Sequence, residues 1–230
     1  MDKINCLDHG FVKLLNISGA TPEGDLDRNA AQCARICFNN FEEERTKDQD
    51  LKLTEYLIKN RHTSPLEMTQ VWLEMKLPIF LARQFVRHRT VVINEMSARY
   101  SILPKEYYIP EVVGGKPIHN KQGQEDSLSQ EVQDEFKFNL GLQCEESYRK
   151  YQIALDNGVA PEHARLFLHV NNYTHWVWSQ NLHNLMHFLT LRMDSHAQIE
   201  AQIYAKAVYT LVYSHIPETM ELFTLHRSSK

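Results

Sequence analysis

The spacing of hydrophobic residues along the chain predicts both strands and helices. Residues 4–18 alternate weakly between apolar and polar positions, Val71–Leu77 alternates clearly, and Tyr173–Trp178 also has the character of a strand. In several longer segments an apolar residue recurs every three or four positions, as on one face of a helix. These predicted helices are Asp25–Phe38, Leu51–Asn60, Ile79–Arg89, Val132–Leu155, a helix opening at Pro161–Arg165, Asn181–Leu191 and His196–Ser214. Because strands and helices do not alternate regularly, the pattern indicates an α+β fold.

Turns and polar stretches separate these elements. Thr21-Pro22 predicts a turn, and the charged stretch Glu42–Asp50 predicts a solvated connector. Gly114–Ser129 is rich in Gly, Gln and Lys, which is typical of a surface loop. Asn157-Gly158 marks the end of the longest predicted helix, since glycine readily adopts the left-handed conformation that closes helices. At 230 residues the chain fits one large domain or two small ones.

The densest group of charged residues lies at 83–101, where four arginines, a histidine, a glutamate and two serines occur together. Pro78 suits the first turn of the helix that begins here, and this helix would place Gln84, Arg87 and His88 on one face. Two of the arginines lie four positions apart and would repel each other unless phosphate or carboxylate oxygens lay between them. The segment therefore predicts a site for an anion.

The residues after this helix extend the polar group. The β-branched run Val91–Ile93 favours extended chain, and continued extension would place Glu95, Ser97 and Arg99 on one side. An alternative interpretation is a helix whose arginines form a solvated or salt-bridged face. Apolar residues interleaved through the segment favour burial instead, and buried arginines require partners. Because no base lies beside Ser97 in the sequence, a binding role is preferred to that of a nucleophile.

Composition restricts the partners of this anion site. The chain is 43% hydrophobic and 23% charged, as in ordinary globular proteins, and its net charge is −4. A nucleic-acid-binding surface spread over the fold is therefore not expected, and the anion site is a local patch. No apolar run approaches the ~20 residues of a membrane span, and the first residues lack a signal peptide's apolar core, which predicts a cytoplasmic protein. The four cysteines form no CxxC pair and are expected to be reduced thiols.

Two further groups of polar residues are candidates for ligand contacts. The turn His62–Glu67 offers side-chain hydroxyls and backbone N–H groups to an oxyanion. His183 and His187 stand four apart on a helix, a spacing that suits a zinc ion, an anion, a stacked ring or ordinary polar packing. The nearby Arg192 would repel a cation, so no metal is expected. The sequence contains no G-x-G-x-x-G, so a dinucleotide would have to be held by side chains.

The order of these residues resembles a known family. Arg87-His88-Arg89 is followed, after seven residues, by Ser97, and the segment reads Asn94-Glu95-Met96-Ser97-Ala98-Arg99-Tyr100. This long motif is similar to the signature of flavin-dependent thymidylate synthases. The segments His62–Glu67 and Leu191–Gln198 resemble further motifs of the same family, and the resemblance extends from His62 to about Ala205.

The resemblance implies a fold and an activity. The fold would be a single domain over residues 1–230, with a central mixed or antiparallel sheet flanked by helices and no Rossmann fold. The protein would be a homotetramer with active sites shared between subunits, without nucleic-acid or membrane partners. It would methylate dUMP to dTMP, with FAD as hydride carrier, 5,10-methylenetetrahydrofolate as carbon donor and NADPH as reductant. This route uses no cysteine nucleophile.

The resemblance also assigns roles to residues of this chain. Arg192 is the expected catalytic residue, a cation beside the pyrimidine edge on which negative charge develops. The residues expected to bind dUMP are Gln84, Phe85, Val86, Arg87, Glu95, Met96, Ser97, Ala98, Arg99, Arg165 and Arg192, with Ser97 and Arg99 supplied by a neighbouring chain. The residues expected to bind FAD are Ser64, Arg87, His88, Arg89, Glu95, Asn181, Leu182, His183 and His187. His62 is expected to border the space entered by folate or nicotinamide. The chain departs from the family at Val92, where a serine is usual.

The residues alone leave two other classes of function open. One is a zinc hydrolase that uses His183 and His187, and the other is a non-catalytic nucleotide- or RNA-binding module that uses the arginine-rich helix. The colour of the purified protein separates them. A yellow protein supports flavin, a colourless protein with stoichiometric zinc supports the hydrolase, and a protein with neither supports the binding module.

Overall fold

An antiparallel sheet forms the centre of the computed structural model, which describes residues 2–21, 25–41, 44–116 and 125–227. The strands are β1 (Lys3–Cys6), β2 (Gly10–Ser18), β3 (Gln70–Pro78), β4 (Val92–Glu95), β5 (Gly114–Gly115), β6 (Glu125–Ser127) and β7 (Tyr173–Asn181). The large sheet has the order β1-β2-β3-β7-β4, and β5 and β6 form a separate hairpin. Each pair of neighbours in the large sheet is antiparallel, so this sheet is not mixed.

Helices accompany the large sheet, and several of them pack against its strands. They are α1 (Asn29–Ala34), α2 (Lys47–Lys59), α3 (Ser64–Glu67), α4 (Ile79–Phe85), α5 (Gln130–Asp156), α6 (Pro161–Ala164), α7 (Leu182–Arg192), α8 (Ile199–Tyr213) and α9 (Pro217–His226). Three 3-10 turns lie at Leu26–Arg28, Arg35–Phe38 and Arg165–Phe167. The combination of helices with an antiparallel sheet confirms the predicted α+β class. Within the described ranges, none of the helices has the length and apolar character needed to cross a membrane.

The core lies between the sheet and the helices. Every second residue of β3 is buried, which is the alternation that the sequence predicts for Val71–Leu77. On the neighbouring β7, Trp176 and Trp178 are among the largest fully buried side chains, and Trp178 packs edge-to-face against Phe188 of α7 at 4.8 Å. Burial of a large apolar side chain contributes about 1.5–3 kcal/mol. This packing fixes the position of α7 over the end of β7.

A close contact positions α8 over the start of β2. The Tyr204 hydroxyl of α8 donates to the Lys76 carbonyl at 2.6 Å. Gly10 lies beneath it, because a Cβ atom at this position would come within 1.9 Å of the same hydroxyl. No larger residue fits here without displacement of α8.

The predicted helix Asp25–Phe38 is interrupted in the structure. Only Asn29–Ala34 is α-helical, and a 3-10 turn lies on each side of it. The interruption coincides with ion pairs to the buried carboxylate of Asp50 on α2. This carboxylate pairs with Arg28 at 2.5 Å and also with Arg35. Both arginines belong to the 3-10 turns, so the two turns converge on one acid.

The helix predicted for Ile79–Arg89 is shorter in the structure. It ends at Phe85, and the chain then makes turns in which Arg87 N donates to the Gln84 carbonyl and His88 N donates to the Phe85 carbonyl. Thr90 has a positive φ of 68°, which no helix accommodates. After this turn the chain changes direction, and its next segment, β4, pairs with β7. Gln84, Arg87 and His88 therefore do not share a helix face.

The extended chain predicted beyond Val91–Ile93 stops at Glu95. Ser97 instead opens a turn, since its carbonyl accepts from Tyr100 N at 3.1 Å and from Ser101 N at 3.0 Å. The expected alternation of Glu95, Ser97 and Arg99 on one side is consequently wrong. The Ser97 hydroxyl accepts from Arg99 N at 3.3 Å and thereby stabilises the turn.

Other boundaries also differ. The helix predicted to begin at His196 begins at Ile199, because Asp194 accepts from His196 N at 2.8 Å and holds the preceding turn. Helix α9 was not predicted; the Asp27 carboxylate caps it by accepting from Thr219 N at 2.7 Å. The predicted loop Gly114–Ser129 contains the β5–β6 hairpin, although its residues 117–124, like Pro22 and Glu42, lie outside the described residues.

Candidate active site

A basic cavity of about 380 Å³ lies where the turn after α4, the end of β7 and helix α7 meet. We call it the basic cavity. It is lined by Arg87, His88, Arg89, Gln180, Asn184, His187, Leu191 and Arg192. Three arginines and two histidines in one lining create a positive potential, which attracts an anionic ligand. The structure thus brings together residues that lie about 100 positions apart in the chain.

Arg192 is held at the last turn of α7. Leu185, Phe188 and Leu189 on the same helix are fully buried and fix this end against the core. The Arg192 Nε atom donates to the Nε2 atom of His88 at 3.0 Å. Burial lowers the pKa of Arg192, but an arginine remains charged at neutral pH. The negative end of the helix dipole adds to the stability of this cation.

His88 is a buried histidine that is only 7% exposed. Its ring packs edge-to-face on Phe188 at 5.0 Å and also contacts His187 at 6.4 Å. Burial, together with the neighbouring charges of Arg192 and His187, lowers the pKa of His88 to about 4. The imidazole is therefore neutral at pH 7, and its Nε2 lone pair is available to the Arg192 guanidinium.

The low pKa of His88 predicts a pH dependence of stability. Because the pKa falls from 6.5 to about 4 on folding, the unfolded chain binds a proton between these values that the folded chain does not. The free energy of unfolding that depends on the neutral His88 ring is fully present above pH 6.5 and is lost as the pH falls towards 4. Arg192 and His187 on α7, and Arg87 and Arg89 beside His88, are the charged or titratable groups around it. We expect unfolding free energies of wild type and His88→Gln to diverge by up to about 3 kcal/mol over this range.

Urea unfolding of both proteins at a fixed protein concentration, in steps from pH 7 to pH 4, measures this difference. Other titrating groups affect both proteins equally, so only the divergence between the two curves reports on His88. Parallel curves would show that His88 is not held neutral.

A second polar cluster contains Ser97, Arg99 and Arg165. Arg99 Nε lies 3.4 Å from the Glu162 carboxylate, and Arg165 Nε donates to the Glu162 carbonyl at 3.3 Å. Arg99 and Arg165 are both exposed. We call these residues the Arg99 cluster. Arg165 is thus grouped with Arg99.

The Arg99 cluster and the basic cavity lie towards opposite ends of β7. Gln180 Nε2 donates to the Arg89 carbonyl at 3.3 Å, whereas Met96 N donates to the His175 carbonyl at 2.8 Å. Five residues of extended chain separate these two points, or roughly 16 Å. Within a single chain, the residues expected to bind the nucleotide therefore lie at two separate places, the basic cavity and the Arg99 cluster.

The remaining residues expected to bind dUMP differ in exposure. Gln84 donates to Gln198 ahead of α8, and Val86 is 45% exposed. Phe85 is 1% exposed and packs on Phe188 at 5.0 Å, so its side chain belongs to the core. Glu95 accepts from the buried Thr174 hydroxyl of β7. Met96 is half-buried and Ala98 is buried.

The residues expected to bind flavin lie in several places. Arg87, His88, Arg89 and His187 line the basic cavity, whereas Asn181 caps α7 by accepting from Asn184 N at 2.9 Å. Leu182 is 2% exposed and belongs to the core.

A second cavity of about 480 Å³ shares His187 and Leu191 with the basic cavity. Thr63, Arg61 and His183 also line it, with Ile58, Leu66, Met186 and Phe223 among its apolar residues. Ser64 is exposed next to Thr63, and exposed His62 packs edge-to-face on Tyr56 at 5.5 Å. Burial lowers the pKa of His183, and His187 adds to this effect. The turn that begins at His62 and the pair His183 and His187 therefore lie beside two cavities that share lining residues.

Known proteins are similar to this chain in sequence and in fold. The family model described as thymidylate synthase complementing protein matches residues 20–218. A flavin-dependent thymidylate synthase of Treponema denticola is 40% identical over 100% of this chain and 85% of its own length. One of Thermus thermophilus is 41% identical over 97% of this chain and 78% of its own length. The chain belongs to the flavin-dependent thymidylate synthase family.

This family member is also similar to a solved structure. PolB of Streptomyces cacaoi, a UMP/dUMP methylase crystallised with 5-Br dUMP, superposes with a TM-score of 0.84 at 29% sequence identity. The match covers 99% of this chain and 100% of that chain. The fold described above is therefore that of a nucleotide-methylating enzyme as well as of the family.

The sequence did not predict a ligand site role for three residues that line the basic cavity. Asn184 lies three positions after Asn181 and three before His187, so helical spacing would have placed it with them. Gln180 is only 3% exposed, and the neighbouring strand residues give no sign that it borders a cavity. Leu191 was predicted as the end of a helix and the start of a family motif, without a role in a ligand site. Among the described residues, no group of three or more His, Cys, Asp or Glu side chains is placed to hold a metal ion.

Proposed function

We propose that this protein methylates dUMP to dTMP, with carbon from 5,10-methylenetetrahydrofolate and reducing equivalents from NADPH through FAD. The observation that carries the proposal is the charged Arg192 guanidinium, held by His88 at the wall of a basic cavity. Membership of the flavin-dependent thymidylate synthase family and the likeness to a UMP/dUMP methylase support it.

Arg192 is the residue that acts on the pyrimidine. Its Nε atom is occupied by His88, so the two terminal nitrogens remain for a ligand. A planar pair of N–H donors can address two ring atoms at once, which a lysine cannot do. Negative charge develops on the ring during methylation, and a fixed cation in a partly buried site stabilises that charge.

The residues of the two cavities fit FAD. Arg87 and Arg89 offer cations to a diphosphate, and the apolar part of the second cavity suits a ring system. The Oε1 atom of buried Gln180, which lines the basic cavity, has no hydrogen-bond partner among the residues that the structure describes. A donor group of a ligand is the partner that this atom lacks. Ser64, Asn181, His183 and His187 complete the proposed contacts of this chain, and Leu182 contributes through its backbone. Glu95 lies near the other end of β7, beside the Arg99 cluster, and its proposed contact with FAD is made in the site of a neighbouring chain. When bound, FAD supplies the hydride that completes the methyl group.

The nucleotide phosphate requires residues from a second subunit. Ser97, Arg99 and Arg165 lie far along β7 from Arg192, and we assign the Arg99 cluster to the site of a neighbouring chain. The surface beside this cluster is apolar: Tyr100, Ile102 and Leu166 are 77%, 62% and 78% exposed. Helix α5 adds exposed apolar side chains, namely those of Val132, Phe136, Phe138, Leu142 and Ile153. Apolar surface of this extent is typical of subunit interfaces, which supports the proposed homotetramer.

Thiol chemistry has no place in this reaction. Neither cavity has a cysteine in its lining. Cys6 is buried and its pKa is raised by burial to about 12; burial also raises the pKa of Cys33 and Cys144. Thiols with raised pKa values are poor nucleophiles at neutral pH because the thiolate is scarce.

A variant in which all four cysteines are replaced by Ser or Ala is expected to retain the chemical step. We expect single-turnover dTMP formation within about threefold of wild type, because no cysteine contacts either cavity. Stability should fall by a few kcal/mol, since Cys6 and Cys144 are buried. The measurement is rapid-quench dTMP formation below the unfolding temperature of the variant. A folded variant that binds FAD and dUMP but makes no dTMP would refute the thiol-free route.

The direct test of the proposed function is the purified protein itself. Its visible spectrum should show flavin, and it should form dTMP from dUMP, 5,10-methylenetetrahydrofolate and NADPH. Parallel reactions with UMP and with NADH determine the base-sugar and reductant preferences. A protein that contains no flavin after reconstitution, and that methylates neither nucleotide, would overturn the proposal.

A further inference from the structure

The side chain of His88 holds the guanidinium of Arg192. It follows the core residue Phe85 by three positions, and its ring is wedged against Phe188 of α7. The two residues are 104 positions apart in the chain, yet their nitrogens lie 3.0 Å apart. With 7% exposure, His88 has little surface left for a ligand. Its side chain thus lines the basic cavity and is at the same time engaged by Arg192.

We infer that His88 is a positioning residue, whose Nε2 atom accepts the Arg192 Nε–H and aims the outer edge of that guanidinium into the basic cavity. This inference rests on the proposed function, since it assigns Arg192 to the pyrimidine. Guanidinium carries five N–H donors, of which the one on Nε is used by His88. The four on the terminal nitrogens remain for the ligand.

The pairing requires one tautomer of the imidazole. Nε2 must be unprotonated to accept a hydrogen bond, so the single ring proton lies on Nδ1. A protonated ring would instead present a donor and a positive charge to Arg192. The surroundings oppose that form, because Arg192 and His187 face the ring and the site is buried.

A fixed guanidinium affects rate more than affinity. If Arg192 is already oriented, no reorganisation is needed when charge develops on the ring. Without the acceptor, the guanidinium can still bind an anion in several orientations but seldom in the reactive one. Loss of His88 should therefore lower kcat more than it raises the KM for dUMP.

The test compares two variants of His88. His88→Phe keeps the ring and its packing on Phe188 but has no acceptor, whereas His88→Gln loses the ring but keeps an acceptor near the Nε2 position. We expect His88→Phe to lower kcat about 30-fold with KM for dUMP within about threefold, and His88→Gln to restore kcat to within about fivefold of wild type. Flavin content is measured in each. Wild-type turnover in His88→Phe, or equal losses in both variants, would overturn the inference.

A double-mutant cycle and an NMR readout separate this inference from the proposed function. In an Arg192→Lys background, His88→Phe should have almost no further effect on turnover, because the contact is already lost; an additive effect would contradict the pairing. The Arg192 Nε–H proton of wild type, assigned by its absence in Arg192→Lys, should exchange slowly with water. Rapid exchange would overturn the inference even if dTMP is formed. Slow exchange in a protein that makes no dTMP would support the pairing while the proposed function failed.

Discussion

Replacement of Arg192 by lysine is expected to slow methylation by about 100-fold while dUMP binding weakens by no more than about tenfold. Lysine keeps the charge but loses the planar pair of donors and the Nε–H that binds His88. If the contact with the pyrimidine tightens as charge develops, the loss falls mainly on the transition state. A loss of about 2.7 kcal/mol in the chemical step matches one missing charge-assisted contact.

The measurement is single-turnover dTMP formation from pre-reduced enzyme, beside a dUMP titration of the same variant. NADPH-driven flavin reduction should persist within about threefold, because Arg192 is assigned to the nucleotide. Arg83→Lys is the matched control: Arg83 is an exposed arginine on α4 outside the lining of either cavity. Equal losses in methylation and in dUMP binding would mean that Arg192 only binds the nucleotide.

Two inactive variants are expected to restore activity to each other when they are mixed in one oligomer. Arg192→Ala disables the basic cavity, and Arg99→Ala disables the Arg99 cluster at the other end of β7. Each should reduce dTMP formation at least 100-fold alone. If one site takes its basic cavity from one chain and its Arg99 cluster from another, a random mixture has both halves intact in about a quarter of the sites.

Co-expression with two different affinity tags and two successive purifications isolates the mixed oligomers. The matched control pairs Arg192→Ala with Arg87→Ala, because these two residues line the same cavity of one chain. No site of that mixture has an intact cavity, so it should stay inactive. Recovery of about a quarter of wild-type activity in the first mixture alone supports shared sites. Inactivity of both mixtures would place the whole site within one chain.

The local pattern of the sequence predicted the elements whose side chains repeat regularly. β3 was predicted because every second residue of Val71–Leu77 is apolar, and the sheet buries that set. The long predicted helix Val132–Leu155 lies within α5, and the helix predicted at Asn181–Leu191 is α7 shifted by one residue. Periodicity follows from backbone geometry, so it is visible within a short stretch of chain. The linear motif likewise predicted the family, because its residues are contiguous.

Element ends depend on contacts that no local pattern contains. Ile79–Arg89 is a continuous helical pattern, yet α4 stops at Phe85 because the chain must return along β7. The break of the first predicted helix follows a carboxylate on another helix, that of Asp50. α9 was missed, although Pro217 stands at its first turn, since its cap comes from the distant Asp27.

For the chemistry of the site, too, the sequence predicted one part and the tertiary structure determined the rest. The sequence alone was sufficient to assemble a list of arginines, histidines and serines and to predict that they bind an anion. Only the tertiary structure paired His88 with Arg192 across 104 residues, and only the antiparallel pairing of β4 with β7 separated Arg99 from the basic cavity. The physical reason is that residue types carry charge and hydrogen-bonding capacity wherever they stand, whereas their distances and burial depend on how distant strands and helices pack.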